Sequence, residues 1–252
     1  MVSQLCSEYG CLPKPSARSR DALLDAAETV YLRLDYHNVT AERVAVAAEA
    51  TSRVVFNTFG NMGWLYRAMI ERVAVSLLSR TEQTLASSTA AGTFDALSRH
   101  RLAERRRYRL LHSALTSVRC LVPRPAPTDR TLASYYQSLD LAGRGLGREL
   151  ESAGRIGYDP ARLGLAFDRM ATACLEYWWQ PRLTRDPDRF VARLRDVWQR
   201  ILSRGDLTST PAEGESGYQQ QPVSRHDLWR LWELILVADG SGGADSDRRL
   251  HG

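Results

Sequence analysis

Residues 40–61 read TAERVAVAAEATSRVVFNTFGN, and the fold follows from this stretch. Thr40 stands where a hydroxyl caps a helix by accepting a free backbone N–H of the first turn. Glu42 follows where the positive end of a helix favours an anion. Val44, Ala45 and Ala48 then fall on one face of a short second helix. After a tight turn, Thr51 caps a third helix that ends at Phe59-Gly60, and Asn61 caps a fourth with Leu65, Met69 and Val73 inward. Upstream, Leu23, Ala26, Ala27, Val30, Tyr31 and Leu34 recur at spacings of three and four, which predicts a first helix from about Ser19, ended by Asp35 and Tyr36. Two short helices joined by a tight turn and braced by a third have a physical use. The second of the pair can lie in a major groove with its N-terminal side chains at base edges. All-helical cores contain the same pattern, so spacing alone leaves both readings open.

Working outward, helical periodicity dominates from about residue 19 to 204, and no alternating strand-type stretch stands out, so the expected fold is all-α. Residues 1–18 read as a flexible N-terminal arm containing Pro13 and Pro15. Residues 19–72 form the compact helix-turn-helix domain, whose three helices are followed by a fourth. Residues 73–204 carry longer helices of a larger domain, with breaks near Ala91–Gly92, Pro123–Pro127, Gly154–Pro160 and Pro181–Pro187. Residues 205–223 read as a linker, and residues 224–252 as an amphipathic helix, Ser224–Asp239, followed by a disordered tail. That last helix presents Leu228, Trp229, Leu231, Trp232, Leu234, Ile235 and Leu236, too apolar to remain in water. It would dock on its own domain, on a partner subunit or on another protein.

The 252 residues suffice for a small domain packed on a larger one. No run of about 18 apolar residues occurs, so no membrane partner is expected. Met1–Arg20 has no secretory apolar core, which makes the expected location cytoplasmic. The net charge of +5 permits nucleic-acid binding without demonstrating it. Cys6, Cys11, Cys120 and Cys174 are too scattered for a zinc site and read as free or buried thiols; no metal and no cofactor is expected.

From Leu23 to Leu65 the chain resembles the TetR family without insertion or deletion. The resemblance is carried by Leu23-Leu24-Asp25-Ala26-Ala27, Tyr31, Tyr36, Thr40, Val44-Ala45, Ala48, Phe56, Phe59-Gly60-Asn61 and Leu65. It implies a transcriptional regulator that binds a palindromic operator as a homodimer and releases it when a small molecule enters the C-terminal domain. The sequence departs from the family pattern at four places. Glu49 replaces the usual turn glycine, Phe56 the usual Tyr, Thr58 the frequent His, and Met62 a frequent Lys after the fourth helix cap. The charge of the DNA-binding unit is also low, with eight basic residues against seven acidic ones from Lys14 to Arg72.

The residues expected at double-stranded DNA are Thr51 and Ser52 at the start of the third helix, Arg53 as a bidentate guanine contact, and Asn57 and Thr58 further along it. Thr40 would donate to a phosphate, and Arg20, with Lys14 and Arg18, would follow the backbone or enter the minor groove. The larger domain is expected to take an apolar or aromatic effector against His112, Tyr135, Tyr136, Trp178 and Trp179. A homodimer is expected through helices at about 160–180 and 187–203, by stripes of Leu163, Phe167 and Met170, and of Phe190, Leu194 and Val197. For the aromatic group ordinary core is the competing reading, while for the two stripes core and interface roles are compatible.

Two other functions compete. One is a TetR-like protein with weakened DNA binding that works through protein contacts, motivated by Glu49, Phe56 and Met62. The other is an all-helical enzyme. The five histidines are scattered, no nucleophile elbow or metalloprotease spacing occurs, and Gly143, Gly145 and Gly147 suggest a phosphate loop but follow no strand. The expectation is therefore a regulator and not an enzyme.

Overall fold

The computed structural model describes residues 17–116, 125–178 and 186–203, with side chains for 20–116, 125–175 and 186–203. The described chain is all-α. Its helices are α1 (Ala17–Tyr31), α2 (Ala41–Ala47), α3 (Ser52–Phe59), α4 (Met62–Ser87), α5 (Thr93–Ala103), α6 (Arg105–Leu115), α7 (Asp129–Ser152), α8 (Pro160–Trp178) and α9 (Pro187–Ser203). The chain divides into two compact units. One runs up to Val73 and includes Leu110–Thr128; the other comprises Ala74–Arg109 and the chain from Asp129. Residues 1–16 of the N-terminal arm, the linker, the C-terminal amphipathic stretch, Trp179 and the side chain of Trp178 lie outside the described residues, and residues 17 and 18 of the arm belong to α1.

In the first unit, α1, α2, α3 and the start of α4 bury Leu23, Leu24, Ala27, Val44, Val55, Leu65 and Met69, the positions at which helical spacing places the core. Tyr66 is buried beside Tyr31 and Tyr36, with ring centroids 5.1 and 4.9 Å away. Burial, then the neighbouring tyrosines, pushes the Tyr31 hydroxyl well above its ordinary pKa and keeps it protonated. Arg72 of α4 reaches Asp25 of α1 at 2.8 Å and donates to the Asp21 carbonyl at 3.4 Å, linking the two helices at the surface.

The second unit is built around Phe94, Leu97, Leu146, Leu163, Phe167, Met170, Leu194 and Trp198. Its aromatic centre is Phe94, whose ring lies 5.7 Å from Phe167 and 5.8 Å from Trp198. Gly143 and Gly164 let α7 and α8 touch backbone to backbone. A Cβ on Gly143 would overlap the Pro160 carbonyl, and one on Gly164 the Leu139 carbonyl. Gly143 and Gly145 are thus buried packing positions inside α7, and Gly147 lies one turn further on, half-buried. The phosphate-loop reading fails here, because such a loop needs free backbone N–H groups and these belong to a continuous helix.

One charged pair sits in this interior. Arg101 of α5 meets Asp168 of α8 at 2.5 Å, both side chains almost fully buried. Tyr135 of α7 donates to the other Asp168 oxygen at 2.7 Å, and the Arg101 guanidinium lies 3.7 Å over the Tyr108 ring. Burial alone disfavours the arginine's charge. Asp168, together with Tyr108 and Tyr135, offsets that penalty and holds Arg101 above its usual value. Cys174 is buried nearby in the core with its thiol pushed up to about 12, a value that leaves it unreactive.

Candidate nucleic-acid interface

The turn between α2 and α3 is closed by backbone bonds from Glu49 N–H to the Val46 carbonyl (3.2 Å) and from Ala50 N–H to the Ala45 carbonyl (2.8 Å). That pair of bonds requires a left-handed residue between them. Glu49 supplies it at φ 51°, the sole non-glycine residue with positive φ among the described residues. Thr51 then caps α3 by conformation, its side chain making no capping bond.

On α3, Val55 and Phe59 are buried. The opposite arc carries Arg53, Phe56 and Asn57, all exposed and spaced i, i+3, i+4. Arg53 and Asn57 therefore share one outward face, as a pair of base-reading side chains must. Thr51 is exposed at the end of this face, and Ser52 is half-buried toward the core. Thr58 is turned aside, with its hydroxyl donating to the Val54 carbonyl at 2.8 Å. Phe56, at 45% exposure, is the apolar centre of the outward face.

The start of α2 faces solvent beside it. Thr40 caps the helix by accepting from Arg43 N–H at 3.4 Å. Its hydroxyl also helps to hold the Glu42 carboxyl below the ordinary range, after that residue's own backbone N–H. Arg43 is exposed and donates to the Asn38 carbonyl at 2.6 Å. At the start of α4, Asn61 Oδ1 accepts from Trp64 N–H at 2.9 Å, Met62 is half-buried, and Trp64 is 56% exposed with Arg67 stacked 5.0 Å from its ring. Arg20 lies 5.4 Å over the Phe59 ring, and Arg20, Thr58, Asn61 and Trp64 line a shallow recess.

Sequence reasoning did not place Arg43, Phe56 or Trp64 among the site residues. The signal for Trp64 was present, because a helix with Leu65 and Met69 inward must turn residue 64 outward.

The other expected groups are placed as follows. Tyr135 and Tyr136 lie on α7 in the second unit, with ring centroids 5.5 Å apart. Tyr136 is exposed, while Tyr135 is engaged by Asp168. Burial, then the adjacent carboxylate, raises the Tyr135 pKa well above that of a free phenol. His112 is half-buried on α6, in the part of that helix belonging to the first unit. Leu163, Phe167, Met170, Phe190, Leu194 and Val197 are all in the core of the second unit, none more than 5% exposed. Within that unit the six side chains pack against one another and against Phe94 and Trp198. Among the described residues, no helix is long and apolar enough to cross a membrane.

No family model and no curated protein matches the chain. Solved structures that resemble it include three repressors. SmeT, the repressor of the Stenotrophomonas maltophilia multidrug efflux pump SmeDEF, is 22% identical over 72% of this chain and 89% of its own, with a TM-score of 0.49. NalD, the secondary repressor of the MexAB-OprM multidrug efflux pump in Pseudomonas aeruginosa, is 22% identical over 74% and 96%, with a TM-score of 0.45. The TetR-family repressor AlkX from Dietzia, implicated in biodegradation of n-alkanes, is 16% identical over 73% and 95%, with a TM-score of 0.41.

Proposed function

We propose that this chain is a TetR-type transcriptional regulator, acting as a repressor without catalysis in the cytoplasm. It binds a palindromic operator as a homodimer and leaves it when a small molecule occupies the second unit. The observation that carries this reading is the outward face of α3. Arg53 and Asn57 stand together there, behind a left-handed turn and beside the exposed start of α2. Arg53 reads a guanine, Asn57 and Thr51 contact bases or backbone, and Thr40, Arg20 and Arg43 meet phosphates. Ser52 and Thr58 act from the edges of that face. The effector, apolar or aromatic, contacts some of Tyr135, Tyr136, Trp178 and Trp179 in that unit.

The second subunit packs on α8 and α9, and on α8 Leu165, Arg169 and Thr172 recur at helical spacing and are half-buried. Light scattering should give a dimer at micromolar concentration, and a monomer would count against this assignment. Arg53→Ala should cost about 1–3 kcal/mol of operator binding and relax specificity at one base per half-site. Equal weakening on every sequence would make Arg53 a phosphate contact, and no change would remove it from the interface.

A second reading has its own support. Phe56 puts an aromatic ring at the centre of the reading face, and exposed Glu42 and Glu49 flank α2, where phosphates would repel them. A TetR-like protein with weak DNA affinity that acts through protein contacts fits these three residues. A gel shift against the chain's own upstream region separates the two, since the regulator retards that fragment at lower concentration than unrelated DNA.

A further inference from the structure

We propose that the amphipathic segment Ser224–Asp239 docks on its own chain, in the groove formed by the end of α4, the second half of α7 and the loop joining α7 to α8. The groove has a volume of about 610 Å³ and is open to solvent. Its floor is apolar, made by Leu85, Leu141 and Tyr158, and its rim carries Glu82, Arg148 and Glu151. These three rim charges make no ion pair among the described residues. The joining loop adds Ile156, an isoleucine left 80% exposed. Apolar surface bordered by unpaired charges of both signs suits a partner helix with an apolar stripe and mixed charged edges.

The segment has that pattern. Leu228, Leu231, Trp232 and Ile235 recur at helical spacing, Asp227 and Glu233 flank the stripe, and Arg225 and Arg230 supply the opposite sign. The acidic flanks match Arg148, and the arginines match Glu82 and Glu151. As a helix the segment would span roughly 24 Å, and the groove follows α7 from Leu141 to Glu151, roughly 15 Å.

The chain also delivers the segment to the right place. Arg155, in the joining loop between Glu151 and Tyr158, donates to Gln199 of α9 at 3.2 Å. Gln199 stands one turn before the end of α9 at Ser203, and the loop it meets borders the groove through Tyr158. The stretch from Ser203 to Ser224 can extend some 60–70 Å, far more than the distance to cover. A tether of this length holds the segment near millimolar effective concentration, which favours its own groove over a second chain.

The test uses the full chain with a photoreactive phenylalanine analogue at position 232. After irradiation, the adduct should run at the mass of one chain and map by mass spectrometry to residues 82–86 or 141–160. Gly147→Gln should lower the yield roughly tenfold, about one buried leucine's worth of docking energy. The side chain fills the groove without disturbing the helix, since a Cβ there meets only Leu163 Cδ1 at 3.8 Å. Leu228→Asp, which leaves the described helices untouched, should give the same loss. An adduct at twice the chain mass, an adduct elsewhere on the chain, no adduct, or yields unaffected by both variants would each overturn the proposal.

Discussion

Glu49 and Gly154 occupy the same position in the same backbone motif, one after α2 and one after α7. Gly154 N–H bonds the Glu151 carbonyl and Arg155 N–H the Leu150 carbonyl, both at 2.9 Å, repeating the bonds around Glu49. Their φ angles are 75° and 51°. A side chain in this region is strained by about 1–2 kcal/mol, partly offset by the greater freedom glycine has when unfolded. Glu49→Gly should therefore stabilise the chain by about 0.5–1 kcal/mol in urea denaturation, and Gly154→Ala should destabilise it by a similar amount. The sequence pointed to residue 49 through the resemblance, whose usual residue in that turn is glycine, a residue suited to positive φ. Met62 was less legible. The sequence places it first in α4, but only the structure shows it half-buried. If α3 enters a major groove, Met62→Lys should add a phosphate contact and steepen the log–log salt dependence by about two units per dimer, with preferred sequence and melting midpoint unchanged. A lowered midpoint without gain in affinity would show that the methionine is needed inward.

At the scale of elements, the first four helices could be read closely from the sequence because short-range signals set their ends. Thr40, Thr51 and Asn61 begin helices, and Gly60 at φ 76° ends one. The larger unit was legible as helices but not as an arrangement. The stripes on α8 and α9 announce a buried face without saying what covers it, and the cover is the unit's own α5 and α7. The charge of Arg101 gave no hint of burial either, since its partner is 67 residues away. Gly143 was informative only once α8 was seen to cross it. The crossing makes a sharp contrast along one helix. Gly143→Ala should destabilise the second unit by about 1–3 kcal/mol, the usual cost of overpacking, while Gly147→Ala should stabilise it by up to about 1 kcal/mol through helix propensity. Thermal melts of the two variants measure this directly.

For the molecule as a whole, stability should depend on acid through His100. Its ring bonds the Tyr108 hydroxyl at 3.1 Å. Burial, then the charge of Arg101, lowers its pKa to about 4, with Glu104 opposing the shift and Arg80 adding to it. The folded chain thus keeps this histidine neutral while the unfolded chain protonates it near pH 6.5. Its contribution is fully present above that pH and is lost as pH falls from about 6.5 toward 4. The melting midpoint should fall between pH 7 and pH 5.5, and His100→Gln should flatten the dependence. The functional account rests on a different property, the outward face of α3, and selection from a random pool of duplex DNA by the full-length chain tests it most directly. The account predicts enrichment of an inverted repeat whose two half-sites each contain a guanine that Arg53→Ala no longer selects. A pool that stays random after repeated rounds, at salt low enough for non-specific retention, would contradict it.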